Sequence, residues 1–209
     1  MQVSTKLIWE VVTSTAIAIA ASTAQAQAPD IRLGVPGHGG PGCPQGTVSI
    51  TMSPDDKAIS ILFDQFVVEA GLDGRPMGYS SCNLSIPVHI PQGYSVSVLQ
   101  VDYRGYNSLP RGASSTLSTN YFFNAQGGSS NRGVTLSRQF RGPADAPYLA
   151  TDRLAAEATV WTPCGAEANL RVNTNMRVNS PRREYAMSTV DSADISAGLV
   201  YHIQWRRCR

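Results

Sequence analysis

Four groupings of residues have the types and spacing to do chemistry. The first is the run Arg171, Asn173, Asn175 and Arg177, in which every second residue is polar and planar. In an extended strand residues i and i+2 share a face. Two guanidinium forks and two carboxamides would then form a ladder able to read sugar hydroxyls or peptide carbonyls. If the last strand of the chain pairs beside it, His202, Gln204 and Arg206 widen that face. A polar strand face is ordinary in itself, so the ladder is read as a candidate binding surface and not as a catalytic one.

The second grouping is the pair Asp64 and Asp102, each after an apolar run at an expected strand end. Two carboxylates flanking a cleft are the machinery of glycoside hydrolysis. The plainer reading pairs Asp102 with the nearby Arg104 to fix a corner, with Tyr103 and Tyr106 as packing. The third grouping is His89 and His202. Hydrolysis by a nucleophile needs a Ser or Cys beside a base that a third group orients. No G-x-S-x-G occurs, and no catalytic residue is assigned. The fourth comprises Ser53-Pro54-Asp55-Asp56 and Asp191-Ser192-Ala193-Asp194, which offer oxygen ligands for calcium but lack EF-hand spacing. Turn and capping use accounts for them. Neither a metal nor a cofactor is implied, and His38 among glycines is read as solvated.

The elements that must position these residues follow from period-two alternation. Val48, Ile50 and Met52 alternate with polar residues, and Ala58 to Phe63 is a short apolar run. Leu84 to Ile90, Tyr94 to Val98, Val134 to Phe140, Leu170 to Val178 and Leu199 to Trp205 alternate likewise. Gly- and Pro-bearing turns separate them, among them Pro91-Gln92-Gly93, Arg141-Gly142-Pro143 and Ser180-Pro181. Strands so spaced predict an antiparallel sandwich or barrel. Pro87 inside its run marks an edge strand or bulge. Asp152 to Ala158 is the one helix candidate, with a strand through Ala156, Ala158 and Val160 as its competitor.

Residues 1–26 have the pattern of a secretory leader: Lys6, a mostly apolar run from Leu7 to Ala21, and Ala24-Gln25-Ala26 as an A-x-A cleavage site. The run is too short and too rich in Ser and Thr for a membrane span. Residues 27–46 are a Gly/Pro-rich arm, expected to be extended and without regular structure, and pinned late by Cys43. Cys43, Cys82, Cys164 and Cys208 are even in number and form no C-x-x-C, so disulfides are expected. Pairing Cys43 with Cys82 and Cys164 with Cys208 brackets self-contained runs of strands; crossed pairings remain open.

The 209 residues are 42% apolar and only 15% charged, with 17 Lys+Arg against 15 Asp+Glu. A net charge of +2 excludes an electrostatically driven nucleic-acid binder and a charge-swollen disordered chain. Only Lys6 and Lys57 are lysines, so the cationic groups are nearly all arginine. Asn83-Leu84-Ser85 has the form of a glycosylation sequon, read as chance because the leader and composition have a bacterial character.

Several short motifs resemble the secreted bacterial and fungal proteins grouped as domain of unknown function 4360. They run in order from Gly42-Cys43-Pro44-Gln45-Gly46 and Ile61-Leu62-Phe63-Asp64 to Cys82-Asn83-Leu84 and Pro91-Gln92-Gly93. Asp102-Tyr103-Arg104-Gly105-Tyr106, Phe140-Arg141-Gly142-Pro143 and Trp161-Thr162-Pro163-Cys164-Gly165 follow. Asn173-Thr174, Asp191-Ser192 and Gln204-Trp205-Arg206-Arg207-Cys208 complete the set. Thr162 departs from the Ser usual there. The resemblance implies a small secreted protein with structural cysteines and implies no activity.

The expectation is therefore an all-β protein: one antiparallel β-sandwich, jelly-roll or immunoglobulin-like, over residues 47–209. It would be secreted or periplasmic, monomeric, and without a transmembrane segment once the leader is removed. Its role would be non-catalytic binding or envelope association, with a surface polysaccharide or a protein as partner and Arg171, Asn173, Asn175, Arg177, His202 and Gln204 as the binding residues. A secreted hydrolase using carboxylates such as Asp64 and Asp102, or a purely structural secreted protein, are the rival readings.

Overall fold

A computed structural model describes residues 29–125, 133–154, 160–190 and 199–208. Among the described residues, thirteen strands form two antiparallel sheets packed face to face. The ladder sheet contains β1 (Arg32–Leu33), β2 (Gly37–Gly39), β6 (Met77–His89), β8 (Ser114–Ala125), β9 (Val134–Arg141) and β11 (Glu167–Asn179). Its main path runs β1-β6-β11-β8-β9, with β2 also on β6. The opposite sheet contains β3 (Val48–Met52), β4 (Ala58–Phe63), β5 (Val67–Ala70), β7 (Tyr94–Leu109), β10 (Ala144–Arg153), β12 (Ala186–Thr189) and β13 (Leu199–Arg207). Its path runs β3-β4-β13-β7-β12-β5, with β10 on β7.

Alternation decides which face is inside. Leu84, Ile86 and Val88 of β6 and Leu170, Val172, Met176 and Val178 of β11 are buried. They belong to one core with Ile59, Ile61 and Phe63 of β4, Val101 of β7, and Leu199 and Ile203 of β13. Each such aliphatic side chain contributes roughly 1.5–3 kcal/mol by leaving water. Cys43–Cys82 and Cys164–Cys208 are bonded, with Cα separations of 5.4 and 6.1 Å. The uncrossed pairing is the one formed, and each bridge closes a loop worth roughly 3–4 kcal/mol in the chain-entropy account.

The interior is not wholly apolar. Tyr103, Tyr121, Tyr201, Thr119 and Thr174 are buried between the sheets, and Tyr121 and Tyr201 meet edge to face at 5.7 Å. Burial pushes the phenols of Tyr103, Tyr121 and Tyr201 well above their ordinary range. Tyr103 and Tyr121 are thus core residues in mid-strand.

Two expectations need correction. The arm is not featureless: β1 and β2 both pair with β6. Pro87 stands where the pairing to β1 ends and that to β2 has not begun, and its carbonyl accepts from Gly34 N at 2.9 Å. An edge made of short arm strands tolerates a residue without an N–H. The helix candidate is not one where it is described, because Asp152 and Arg153 end β10; residues 155–159 lie outside the described residues. Finally, β5, β8, β10 and β12 were not visible as alternating runs. In β8 the buried Thr119 and the partly exposed Phe122 invert the usual polarity of the two faces, which hides the period.

A bulge shapes the opposite sheet. The β7–β13 register shifts between His202 and Ile203, so His202 opposes Gln100 and Ile203 opposes Val98. Leu99 is left over, and the inward phase changes from Val96 and Val98 to Val101 and Tyr103. Asp102 therefore points outward. Farther along, Gly105 has no side chain because the Thr189 carbonyl and the Tyr148 ring occupy the space a Cβ would need. Tyr148 Oη donates to that carbonyl at 2.7 Å.

Candidate functional site

The outer face of the ladder sheet is the candidate site. On β11 the four ladder residues alternate with buried Val172, Thr174 and Met176 and so point to solvent. Register extends the ladder into rows across neighbouring strands. Asn173 stands between Asn83 of β6 and Asn120 of β8, with Thr135 of β9 beyond. Asn175 stands between Ser81 and Ser118, with Ser137 beyond. Neighbouring strands lie about 4.8 Å apart and alternate residues about 6.7 Å apart along a strand, so the face is a lattice of small polar groups.

Aromatic residues mark two corners of this lattice. Arg171 has Phe122 as its β8 partner, and Arg177 has Tyr79 as its β6 partner. Tyr79 is 58% exposed and Phe122 is partly exposed. These two, with Asn83, Asn120 and the Ser/Thr positions, were missed in the sequence. Only pairing register shows that they share a face with the ladder. The exposed tyrosine could have been found from the alternation of Tyr79, Ser81, Asn83 and Ser85, had that strand been read back to Met77.

The polar groups of this face are largely uncommitted. Among the described residues, no side-chain hydrogen bond or ion pair engages Arg171, Asn173, Asn175 or Arg177. Asn120 donates to Thr135 at 2.9 Å. The one carboxylate bordering the ladder on β11 is Glu167, which is paired with His89 at the end of the sheet.

His202 and Gln204 are elsewhere. β13 pairs with β4 and β7, so both residues belong to the outer face of the opposite sheet, across the full thickness of the sandwich from the ladder. The six candidate binding residues do not form one surface. The strands that flank β11 are β6 and β8, and weak alternation concealed β8.

On that opposite face the polar groups are bonded to one another. His202 Nε2 lies 2.7 Å from Asp102 Oδ2. Thr151 Oγ1 and Gln100 Nε2 donate to Asp102 Oδ1 at 2.7 and 3.0 Å. Arg153 donates to Gln100 at 3.1 Å, and Tyr106 Oη to Asp145 at 3.0 Å. Partial burial raises the Asp102 carboxyl, but the hydrogen bonds from Thr151 and His202, the charge of His202 and the Gln100 bond together hold it below its ordinary value. Asp102 is thus tied to His202 and not to Arg104.

Asp64 and Asp102 are not partners across a cleft. Val200 aligns Asp102 with Ser60 of β4, and Asp64 stands four residues beyond Ser60. The separation along the strand alone is about 13 Å. A cleft of about 450 Å³ beside β5 and β6 does include Glu69 and Asp73. There Tyr185 Oη donates to Glu69 at 2.7 Å, and Arg75 lies 3.4 Å from Asp73.

The remaining sequence candidates that fall among the described residues have structural roles. Ser53 Oγ donates to Asp55 at 2.6 Å and accepts from Ala58 N at 2.9 Å, a capped turn. Asp191 to Asp194 lie outside the described residues. His38 Nδ1 is 3.1 Å from the Cys43 carbonyl. Among the described residues no group of three or more His, Cys, Asp or Glu could hold a metal ion. No helix there is long and apolar enough to cross a membrane.

The fold and the cysteine bridges define a disulfide-stapled antiparallel β-sandwich with one open polar face. The chain belongs to the family described as domain of unknown function (DUF4360), whose profile matches residues 29–208. An "Uncharacterized secreted protein" of Arthroderma benhamiae is 35% identical over 173 residues, covering 82% of this chain and 69% of that protein. With its two structural disulfides, the chain is a secreted member of the family. Among solved structures, the enzymatically active domain of bacteriophage CBA120 tailspike protein 4 is matched at 15% identity and a TM-score of 0.18. That match covers 85% of this chain and 19% of the other, too distant to bear on fold or function.

Proposed function

We propose that this secreted protein is a non-catalytic binding module that holds carbohydrate, such as a surface or envelope polysaccharide, on the outer face of its ladder sheet. One observation carries the reading: a flat lattice of Asn, Ser, Thr and Arg side chains, largely uncommitted to one another and flanked by Tyr79 and Phe122. Carboxamides and guanidinium groups match the donors and acceptors of sugar hydroxyls, and aromatic rings offer an apolar surface for the faces of sugar rings. The separation of Asp64 from Asp102, about 13 Å along the strands, favours binding over hydrolysis by that pair. Removal of residues 1–26 as a leader is part of this reading.

The test is binding of the mature protein to an array of neutral and charged glycans, with Arg171→Ala and Asn173→Ala as controls. Retention of at least one glycan class, lost in both variants while their melting temperatures stay unchanged, is the expected result. Absence of binding to every glycan removes the ligand class.

A further inference from the structure

We infer that the ligand is an acidic polysaccharide, gripped at two acid-sugar subsites at opposite ends of β11. The inference rests on the carbohydrate reading of this face and specifies its ligand.

The argument begins with charge. The whole chain has a net charge of only +2, yet the charges on the lattice are of one sign. Arg171 and Arg177 project from it, and the rows formed by Asn173 and Asn175 contain no carboxylate. Several other arginines are engaged on the molecule itself: Arg32 by Asp30, Arg75 by Asp73, Arg138 by Asp152, Arg153 by Gln100, and Arg206 over the Trp161 ring at 4.1 Å. A guanidinium with no carboxylate among the described residues is free to take one from a ligand, and its planar fork fits a carboxylate or sulfate with two parallel hydrogen bonds.

The second argument is the repetition of one pairing. Each ladder arginine has an aromatic register partner: Phe122 beside Arg171 on β8, and Tyr79 beside Arg177 on β6. Directly opposed side chains on one sheet face have Cβ atoms about 5 Å apart. A ring able to stack on a sugar therefore adjoins a fork able to hold that sugar's acid group, and the combination occurs twice. The two lie six residues apart on one strand, about 20 Å. Asn173 and Asn175 stand between them, suited to hydroxyl groups of the intervening sugars. The arrangement calls for an extended polymer lying along β11 and long enough to reach both ends. A monosaccharide reaches one end only.

The experiment compares polygalacturonate, short galacturonate oligomers and an uncharged β-glucan by calorimetry at low and high salt. The wild-type mature protein is set beside Arg171→Gln, Arg177→Gln, the double variant and Arg171→Lys, with melting curves to confirm folding. We expect the polymer to bind tighter than its short oligomers and than the β-glucan, and to weaken as salt screens the charges. Each Gln substitution should cost about tenfold or more in affinity, and Lys should restore only part of it. Equal binding of neutral and acidic polymers, or full affinity in the double variant, overturns the acidic specificity while leaving a carbohydrate face. Oligomers binding as tightly as the polymer overturn the two-subsite span. Absence of binding to all three glycans, with none on the wider array, overturns the carbohydrate reading as well.

Discussion

The two outer faces of the sandwich are built from the same kind of strand and differ in what their polar side chains do. On the opposite sheet Asp102, His202, Thr151, Gln100 and Arg153 bond to one another. On the ladder sheet Arg171, Asn173, Asn175 and Arg177 point into solvent without committed partners among the described residues. A self-satisfied network contributes to stability and has little left to offer a ligand. An unsatisfied lattice contributes little to stability and keeps its hydrogen bonds for something else. Alternating polar residues read alike in both, so the difference lies in which strands become neighbours.

The sharpest break of the comparison would come from the staple nearest the ladder face. Cys43–Cys82 ties the arm to β6 on the buried side of the ladder sheet. Replacing both cysteines by Ser should cost about 3–4 kcal/mol of stability, measured by urea denaturation. If the arm needs the staple to stay on β6, protease should also cut first near residues 34–42. A loss much below that range would mean the strand pairing of β1 and β2 suffices to hold the arm.

Next in size is Asp102→Asn. The Asp102 carboxyl is held below its ordinary value in the folded protein, so its stabilisation is present above the unfolded value of about 3.9 and is lost as pH falls through the folded value. The variant should therefore melt earlier than wild type at neutral pH, by about 1–2 kcal/mol, and the gap should close in acid. Melting curves over this pH range check it. A gap that persists undiminished in acid would show that the network acts through packing and not charge.

Asn173→Ala on the other face supplies the contrast. An exposed carboxamide with no partner should change stability by less than about 0.5 kcal/mol, while glycan binding falls. A stability loss as large as that of Asp102→Asn would erase the distinction between the faces. A last prediction concerns the interior. Tyr201 is fully buried and its hydroxyl has no hydrogen-bond partner among the described residues. Tyr201→Phe should leave stability unchanged or raise it by about 1 kcal/mol, as calorimetric melting will show. A clear loss would reveal a buried water or partner bonded to that hydroxyl.

Much of the fold was legible because strict alternation has one physical meaning. Residues such as Leu170, Val172, Met176 and Val178 can be buried together only in a strand with one face inward, and structural cysteines with uncrossed spacing could bracket their strands. The ladder itself was legible for the same reason. Its extent was not. β8 hides its period because Thr119 faces the core and Phe122 faces solvent, and Tyr79 precedes the part of β6 that alternates visibly. The arm strands were concealed by glycine and proline, whose local preferences are overridden by pairing to β6. His202 and Gln204 carry the same local pattern as the ladder, yet β13 pairs with β4 and β7 and takes them to the far side.

The sequence by itself determined that this chain forms pleated strands with one wet and one dry side, stapled by four cysteines, because side-chain alternation and covalent chemistry are local. Which strands lie side by side, and hence whether a polar group meets another or is left open to a ligand, was decided by the tertiary structure alone. Hydrogen bonds between strands are made by the backbone, which is nearly the same at every residue, and only the packing of both sheets around one core selects among the pairings.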